Sequence, residues 1–130
     1  MQSTSGHLDV KLADDIWQVV CETLSKYDGI DCNLPELKEY IEKNAQITVF
    51  NGGVFIADGN EFDLFVLTEK RGKWAIKKEI TSFLAKLAEK HTKAVIKINE
   101  RNQRSLRLAK FFGFERVRQE GLDIVMERAL

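Results

Sequence analysis

Cysteine, histidine and proline are scarce in this chain, and the first two scarcities each remove a class of function. The two cysteines, Cys21 and Cys32, fit no metal-ligand spacing and are too few for an extracellular disulfide framework. A reducing, cytoplasmic setting is therefore the default. The two histidines, His7 and His91, suggest neither a histidine-rich metal site nor a triad with Ser105, which argues against nucleophilic hydrolysis. No apolar run approaches the length of a membrane span, and the polar start Met1 to Gly6 has no signal-peptide core and reads as a tail. Gly72-Lys73 lacks the partner glycine and Ser/Thr of a nucleotide-binding P-loop. Few aromatics are interleaved with the basic residues and no helix-turn-helix spacing stands out, so nucleic acid is a poor partner.

What is present is an ordinary soluble composition with an uneven charge distribution. The chain has 130 residues, of which 44% are apolar and 31% charged, which suits one domain with a single core. Its formal net charge is zero, yet Lys70 to Arg118 holds 15 Lys/Arg against 4 Asp/Glu, a balance of +11. Met1 to Glu69 holds 4 against 13, a balance of −9, and the remaining residues add −2. The basic block would draw a polyanionic ligand such as coenzyme A. The same excess also fits cations that merely solvate two exposed helix faces.

Periodicity predicts the elements. Leu8 to Leu12 alternates as a first strand. Asp14 is placed to cap a helix carrying Ile16, Val19, Val20, Leu24 and Tyr27 on one face, ending near Asp28-Gly29. Asn33-Leu34-Pro35-Glu36 opens a second helix whose apolar face is Leu37, Tyr40 and Ile41. Ile47 to Phe50 and Val54 to Ala57 flank Asn51-Gly52-Gly53, a hairpin signal, and Asp58-Gly59-Asn60 turns the chain into a third strand from Phe62 to Leu67. A helix from about Gly72 to His91 follows, with Ile76, Ile80, Phe83, Leu84, Leu87 and Ala88 inward. Ala94 to Ile98 is a short apolar, central strand. Asn102 to Phe112 forms the last helix, with Leu106, Ala109 and Phe112 inward and Gly113 as its left-handed cap. Two final strands lie on either side of Glu120-Gly121. The expected class is α+β in three layers: a mixed, mostly antiparallel twisted sheet flanked by helices, in the order β-α-α-β-β-β-α-β-α-β-β. The strands from Phe62 and Ala94 should be adjacent and parallel through a right-handed crossover.

The segment from Phe62 to Phe114 carries the chemistry. Arg71-Gly72-Lys73 precedes a helix N-terminus just after a strand, where unpaired N–H groups and the dipole suit a phosphate. Asn102-Gln103-Arg104-Ser105-Leu106-Arg107-Leu108-Ala109-Lys110-Phe111-Phe112-Gly113-Phe114 follows the pattern Asn-x-x-(Ala/Ser)-x-x-Leu-Tyr-x-x-x-Gly-Phe. In order and motif the chain resembles the GCN5-related N-acetyltransferase (GNAT) fold family. The resemblance implies an acyl-CoA-dependent N-acyltransferase with acetyl-CoA as acyl donor. It implies cofactor contacts from Val66, Leu67, Arg71, Gly72, Lys73, Trp74, Ala75, Ile76, Asn102 and Ser105. Two departures matter. Trp74 and Ile76 replace the small residues of the family's Arg/Gln-x-x-Gly-x-Gly/Ala segment, and Ala109 stands where the family places a Tyr that protonates the leaving thiolate.

On this reading a backbone N–H of the Phe62 to Leu67 strand polarises the thioester carbonyl, and Asp63, with Glu61 beside it, is the candidate base for the incoming amine. Both carboxylates also fit an exposed strand start, which is the commoner reading of such a position. Trp17 and Trp74 could line an acceptor pocket or simply pack. Cys21 reads as a small core residue. The Arg71-Gly72-Lys73-Trp74-Ala75 variant also resembles small GNAT-like proteins of tailed bacteriophages. The alternative is therefore a non-catalytic GNAT-fold assembly module, in the host cytoplasm or a virion, with protein partners or further copies of itself.

Overall fold

The structure, a computed structural model, describes residues 12–30, 35–67 and 74–130, apart from the side chains of Pro35, Trp74 and Ala75. Helix α1 spans Asp14–Thr23 and runs directly into a π-helical turn, Leu24–Asp28. Helix α2 is Pro35–Asn44, followed by strands β1 (Gln46–Phe50), β2 (Gly53–Asp58) and β3 (Glu61–Val66). Helix α3 (Trp74–Leu87) leads to β4 (Lys93–Asn99), α4 (Gln103–Phe111), β5 (Glu115–Glu120) and β6 (Asp123–Ala129).

The six strands form one sheet in the order β1-β2-β3-β4-β6-β5, and every neighbouring pair is antiparallel except β3–β4. The expected parallel pair is therefore present, with β4 inside the sheet. Of the predicted first strand, residues 8–11 lie outside the described residues, and Leu12 is buried but not extended into a ladder.

Strand alternation divides the core into two. On one face Phe55, Phe62, Ala94, Ile96, Ile124 and Met126 meet Ile76, Ile80 and Leu84 of α3 and Ala109 of α4. Phe55 and Phe83 stack with ring centroids 4.1 Å apart, and Phe62 sits 4.8 Å from Phe83, so aromatic contact locks α3 onto β2 and β3. On the other face Val54 and Phe65 meet Leu12 and Ile16, Val19 and Val20 of α1. At the hairpin, a Cβ on Gly53 would lie 2.5 Å from the Phe50 ring and 2.6 Å from the Phe65 carbonyl oxygen, so only glycine lets β2 pass there.

Three local expectations need correction. Asp14 is the first helical residue of α1; Ala13 occupies the cap and makes no side-chain bond, since Asp15 instead accepts from Ile16 N–H. Tyr40 is 65% exposed, while Glu42 on the same helix is buried. Glu42 accepts from the Leu12 amide at 2.6 Å and pairs with Lys38 at 3.0 Å, so a charged residue takes the inward position that the apolar pattern assigned to Tyr40. Helix α3 stops at Leu87, which leaves Ala88 exposed in the following turn.

Candidate active site

The parallel pair opens as it leaves its starting end. Asn60 pins it there: its carbonyl accepts from Val95 N–H at 2.9 Å and its Nδ2 donates to the Lys93 carbonyl at 3.0 Å. Only Glu61↔Val95 bridges the two strands, and beyond it they part. Leu67 N–H donates to the Gly52 carbonyl on the β2 side. By alternation Leu64, of opposite parity, directs its amide toward β4, past the last bridge and into the gap. A cleft of about 1180 Å³ occupies the gap.

The same alternation makes the cleft polar in one direction. Odd-numbered residues of β3 and β4 (Glu61, Asp63, Lys97, Asn99) project to the α1 face, joined there by Asp123 of β6 and Asp28 of the π-turn. On the α4 side the lining includes Arg104, Ser105, Arg107, Leu108 and Ala109, with Lys77 and Ile80 from α3. Arg104 and Arg107 have no carboxylate partner among the described residues. One wall is therefore acidic and the other basic, which gives spatial form to the charge split along the sequence.

Asp63 is the most perturbed group. Its carboxyl is open to the cleft yet ringed by protein, and its pKa is pushed up to about 7. Burial in the recess is the largest cause, followed by repulsion from Glu61, Asp28 and Asp123. Asp28 is raised as well, by partial burial and then by Asp123. Glu61 lies 3.8 Å from Lys97 Nζ, whereas the carboxylates of Asp28, Asp63 and Asp123 have no hydrogen bond or ion pair among the described residues. Lys97 is itself held by Glu120 at 3.3 Å, and this bond together with Glu61 raises its pKa. A carboxyl titrating near neutrality and free of partners can take a proton from a bound cation.

The other sequence candidates separate into groups. Val66 and Ile76 border the cleft, with Ile76 buried in the core beside Ile80. Leu67 lies off the cleft, and its amide donates to the Gly52 carbonyl. Arg71, Gly72 and Lys73 lie outside the described residues; Trp74 and Ala75 begin α3. Asn102 borders the cleft, but its Oδ1 caps α4 by accepting from Ser105 N–H at 3.3 Å. Ser105 is half-buried on the cleft wall. Ala109 is 6% exposed, so the position of the family's acid is an apolar wall. Trp17 packs against the α1 core and does not line the cleft, which corrects its pocket reading.

Several site residues were not singled out from sequence. Asp28 looked like the end of a helix, and Asn99, Asp123, Arg104 and Arg107 like ordinary polar positions. Their only signal was the coarse acidic and basic partition. Among the described residues no three His, Cys, Asp or Glu side chains converge to hold a metal ion, and no helix is long and apolar enough to cross a membrane.

No protein-family model matches the sequence, and no curated protein matches it. Solved structures do match in shape. PaiA N-acetyltransferase from Thermoplasma acidophilum, in complex with coenzyme A, superposes with a TM-score of 0.63 at 14% identity, covering 90% of this chain and 92% of that one. A GNAT family acetyltransferase from Elizabethkingia anophelis with acetyl-CoA bound gives 0.57 at 15% identity over 84% and 89% of the two chains. An IAA acetyltransferase from Bacillus cereus gives 0.56 at 13% identity over 84% and 91%. At these identities the likeness establishes architecture, and that architecture is the GNAT fold.

Proposed function

We propose that this chain is an N-acyltransferase that moves an acetyl group from acetyl-CoA to an amine arriving as its ammonium ion. The observation that carries the reading is the two-sided cleft between diverging β3 and β4, with Asp63 on its acidic wall and Arg104 and Arg107 on its basic wall, none of whose side chains has an ion-pair partner among the described residues. Bound acetyl-CoA would supply an acyl thioester whose C–S bond breaks as the new C–N bond forms. The residues present suit it: arginines for phosphates along α4, an apolar stretch at Leu108 and Ala109, and the Leu64 amide in the gap. Asp63 would take one proton from the ammonium, freeing the nitrogen lone pair. The Leu64 N–H would stabilise charge on the carbonyl oxygen. The second N–H proton leaves with the thiolate or passes to water, because Ala109 can hold none.

A second reading, a GNAT-fold module without catalysis, is favoured by two observations: the buried alanine at position 109 and the use of Asn102 as a helix cap. Nothing in the solved structures above supports a place in a phage particle. Calorimetric titration with acetyl-CoA separates the readings. The transferase reading expects saturable binding below about 1 mM, the upper range of ordinary substrate constants. It also expects weaker binding in Arg104→Ala/Arg107→Ala and thiol release when an amine is added. Absence of both binding and thiol release in the folded parent would leave the non-catalytic module.

A further inference from the structure

The π-turn at the end of α1 is held over the cleft by groups that have no other evident use. Asn99, at the end of β4, is buried, and both polar atoms of its side chain are committed there. Its Nδ2 donates to the Tyr27 carbonyl at 3.1 Å, and its Oδ1 accepts from Arg101 N–H at 2.9 Å. Arg101 in turn donates through Nη2 to the Lys26 carbonyl at 3.1 Å and lies 5.7 Å from the Tyr27 ring centroid. A π-turn misaligns the backbone relative to an α-helix, is rare, and recurs at functional sites. Here the wider turn, closed by Gly29 at φ 65°, brings Asp28 to the cleft wall shared with Asp63 and Asp123.

Resting on the transferase reading, we propose that Asp28 is a specificity-determining residue that selects acceptors bearing a second cationic nitrogen, with Asn99 and Arg101 as the positioning residues that hold it in the cleft. The charge count supports this. Attack needs one nitrogen to lose a proton, and Asp63 accounts for that proton. Asp28 and Asp123 remain, unpartnered among the described residues and repelling each other. A cation bound in the cleft would relieve their repulsion. A single metal ion does not answer, because among the described residues no three such side chains converge on one point. An extended dication, with one nitrogen at Asp63 and the other toward Asp28, matches carboxylates spread along a wall. The other charged groups of this side of the cleft are Glu22 of α1, Lys97, already paired with Glu61 and Glu120, and Lys26, whose Nζ lies 5.2 Å from the Tyr27 ring centroid.

The test compares α,ω-diamines with monoamines of equal chain length, by thiol release from acetyl-CoA and by calorimetric binding of the diamine to the parent chain. The parent should favour the diamine in kcat/KM by about fivefold or more, the factor for an ion pair near 1 kcal/mol. Asp28→Asn should remove that preference, read as the ratio of diamine to monoamine kcat/KM within each variant, which divides out any change that the lost Asp28 charge makes to Asp63. Asn99→Ala, which loses the donor to the Tyr27 carbonyl without adding charge, should reduce the preference through KM with monoamine kcat retained. Turnover without diamine preference, or a preference unchanged in Asp28→Asn, overturns the proposal and spares the transferase reading. Diamine binding that depends on Asp28 without any thiol release sinks the transferase reading and keeps the cation site. If diamine neither binds nor reacts, the proposal falls.

Discussion

Replacing Glu61 by Gln should lower the pKa of Asp63, and the size of the change follows from strand geometry. The two carboxylates are two residues apart on one face of β3, so they stand about 6.6 Å apart at the usual rise. Their repulsion is then about 2.5 kcal/mol at an effective dielectric of 20 and about 0.6 kcal/mol in bulk water. Glu61 is open to water and Lys97 already offsets part of its charge at 3.8 Å, so the coupling lies toward the lower figure even though Asp63 sits in a protein-ringed recess. The midpoint should fall by roughly half a pH unit from about 7. Carbon-detected NMR of the aspartate carboxyls, with Asp63→Asn to assign the signal, reads this directly. The same titration has a stability counterpart. Between 3.8, the ordinary value, and about 7, folded Asp63 keeps a proton that the unfolded chain releases. Its contribution is therefore fully present below pH 3.8 and lost as pH rises through 7. Asp63→Asn should gain on the parent in thermal midpoint as pH rises across that window, and should lose about 10²–10⁴-fold in acetyl transfer. A parent midpoint near 4, or one near 7 that Glu61→Gln leaves unmoved, would refute the reasoning.

Ala109→Tyr tests the missing acid. A phenol there should raise thiol release at constant amine if the residue reaches the cleft, against a packing cost of about 1–3 kcal/mol because the site is only 6% exposed; thermal melts by circular dichroism run beside the assay check that cost. Gly53→Ala should destabilise by at least about 1–3 kcal/mol, since the new methyl meets backbone oxygen at 2.6 Å as well as the Phe50 ring. Urea titration measures it, and a loss below about 0.5 kcal/mol would show that β2 can shift.

Much of the architecture was legible because local rules agreed with the tertiary result. The alternation of Val54 to Ala57 and Phe62 to Leu67 about their turns specified a meander. Asn102 and Gly113 marked both ends of α4, as cap and as left-handed stop at φ 88°. Tyr40 was misread because periodicity ranks side chains by polarity. It cannot foresee that Glu42, given the Leu12 amide and Lys38, is satisfied inside.

The site divides in the same way. Asp63 could be named from sequence because its position near a strand start placed a carboxylate by the expected gap. Its neighbours could not. Asp28, Asp63, Asn99 and Asp123 are separated by long stretches of chain, and only the sheet order β3-β4-β6, with the π-turn bound to the end of β4, brings them onto one wall. Sequence alone determined the charge of each half, the strand and helix periods and the caps, all of which act over a few residues. The tertiary structure decided which charges meet, and so which carboxyl titrates near neutrality. Desolvation and Coulomb repulsion depend on distance in space, which strand pairing sets and chain order does not.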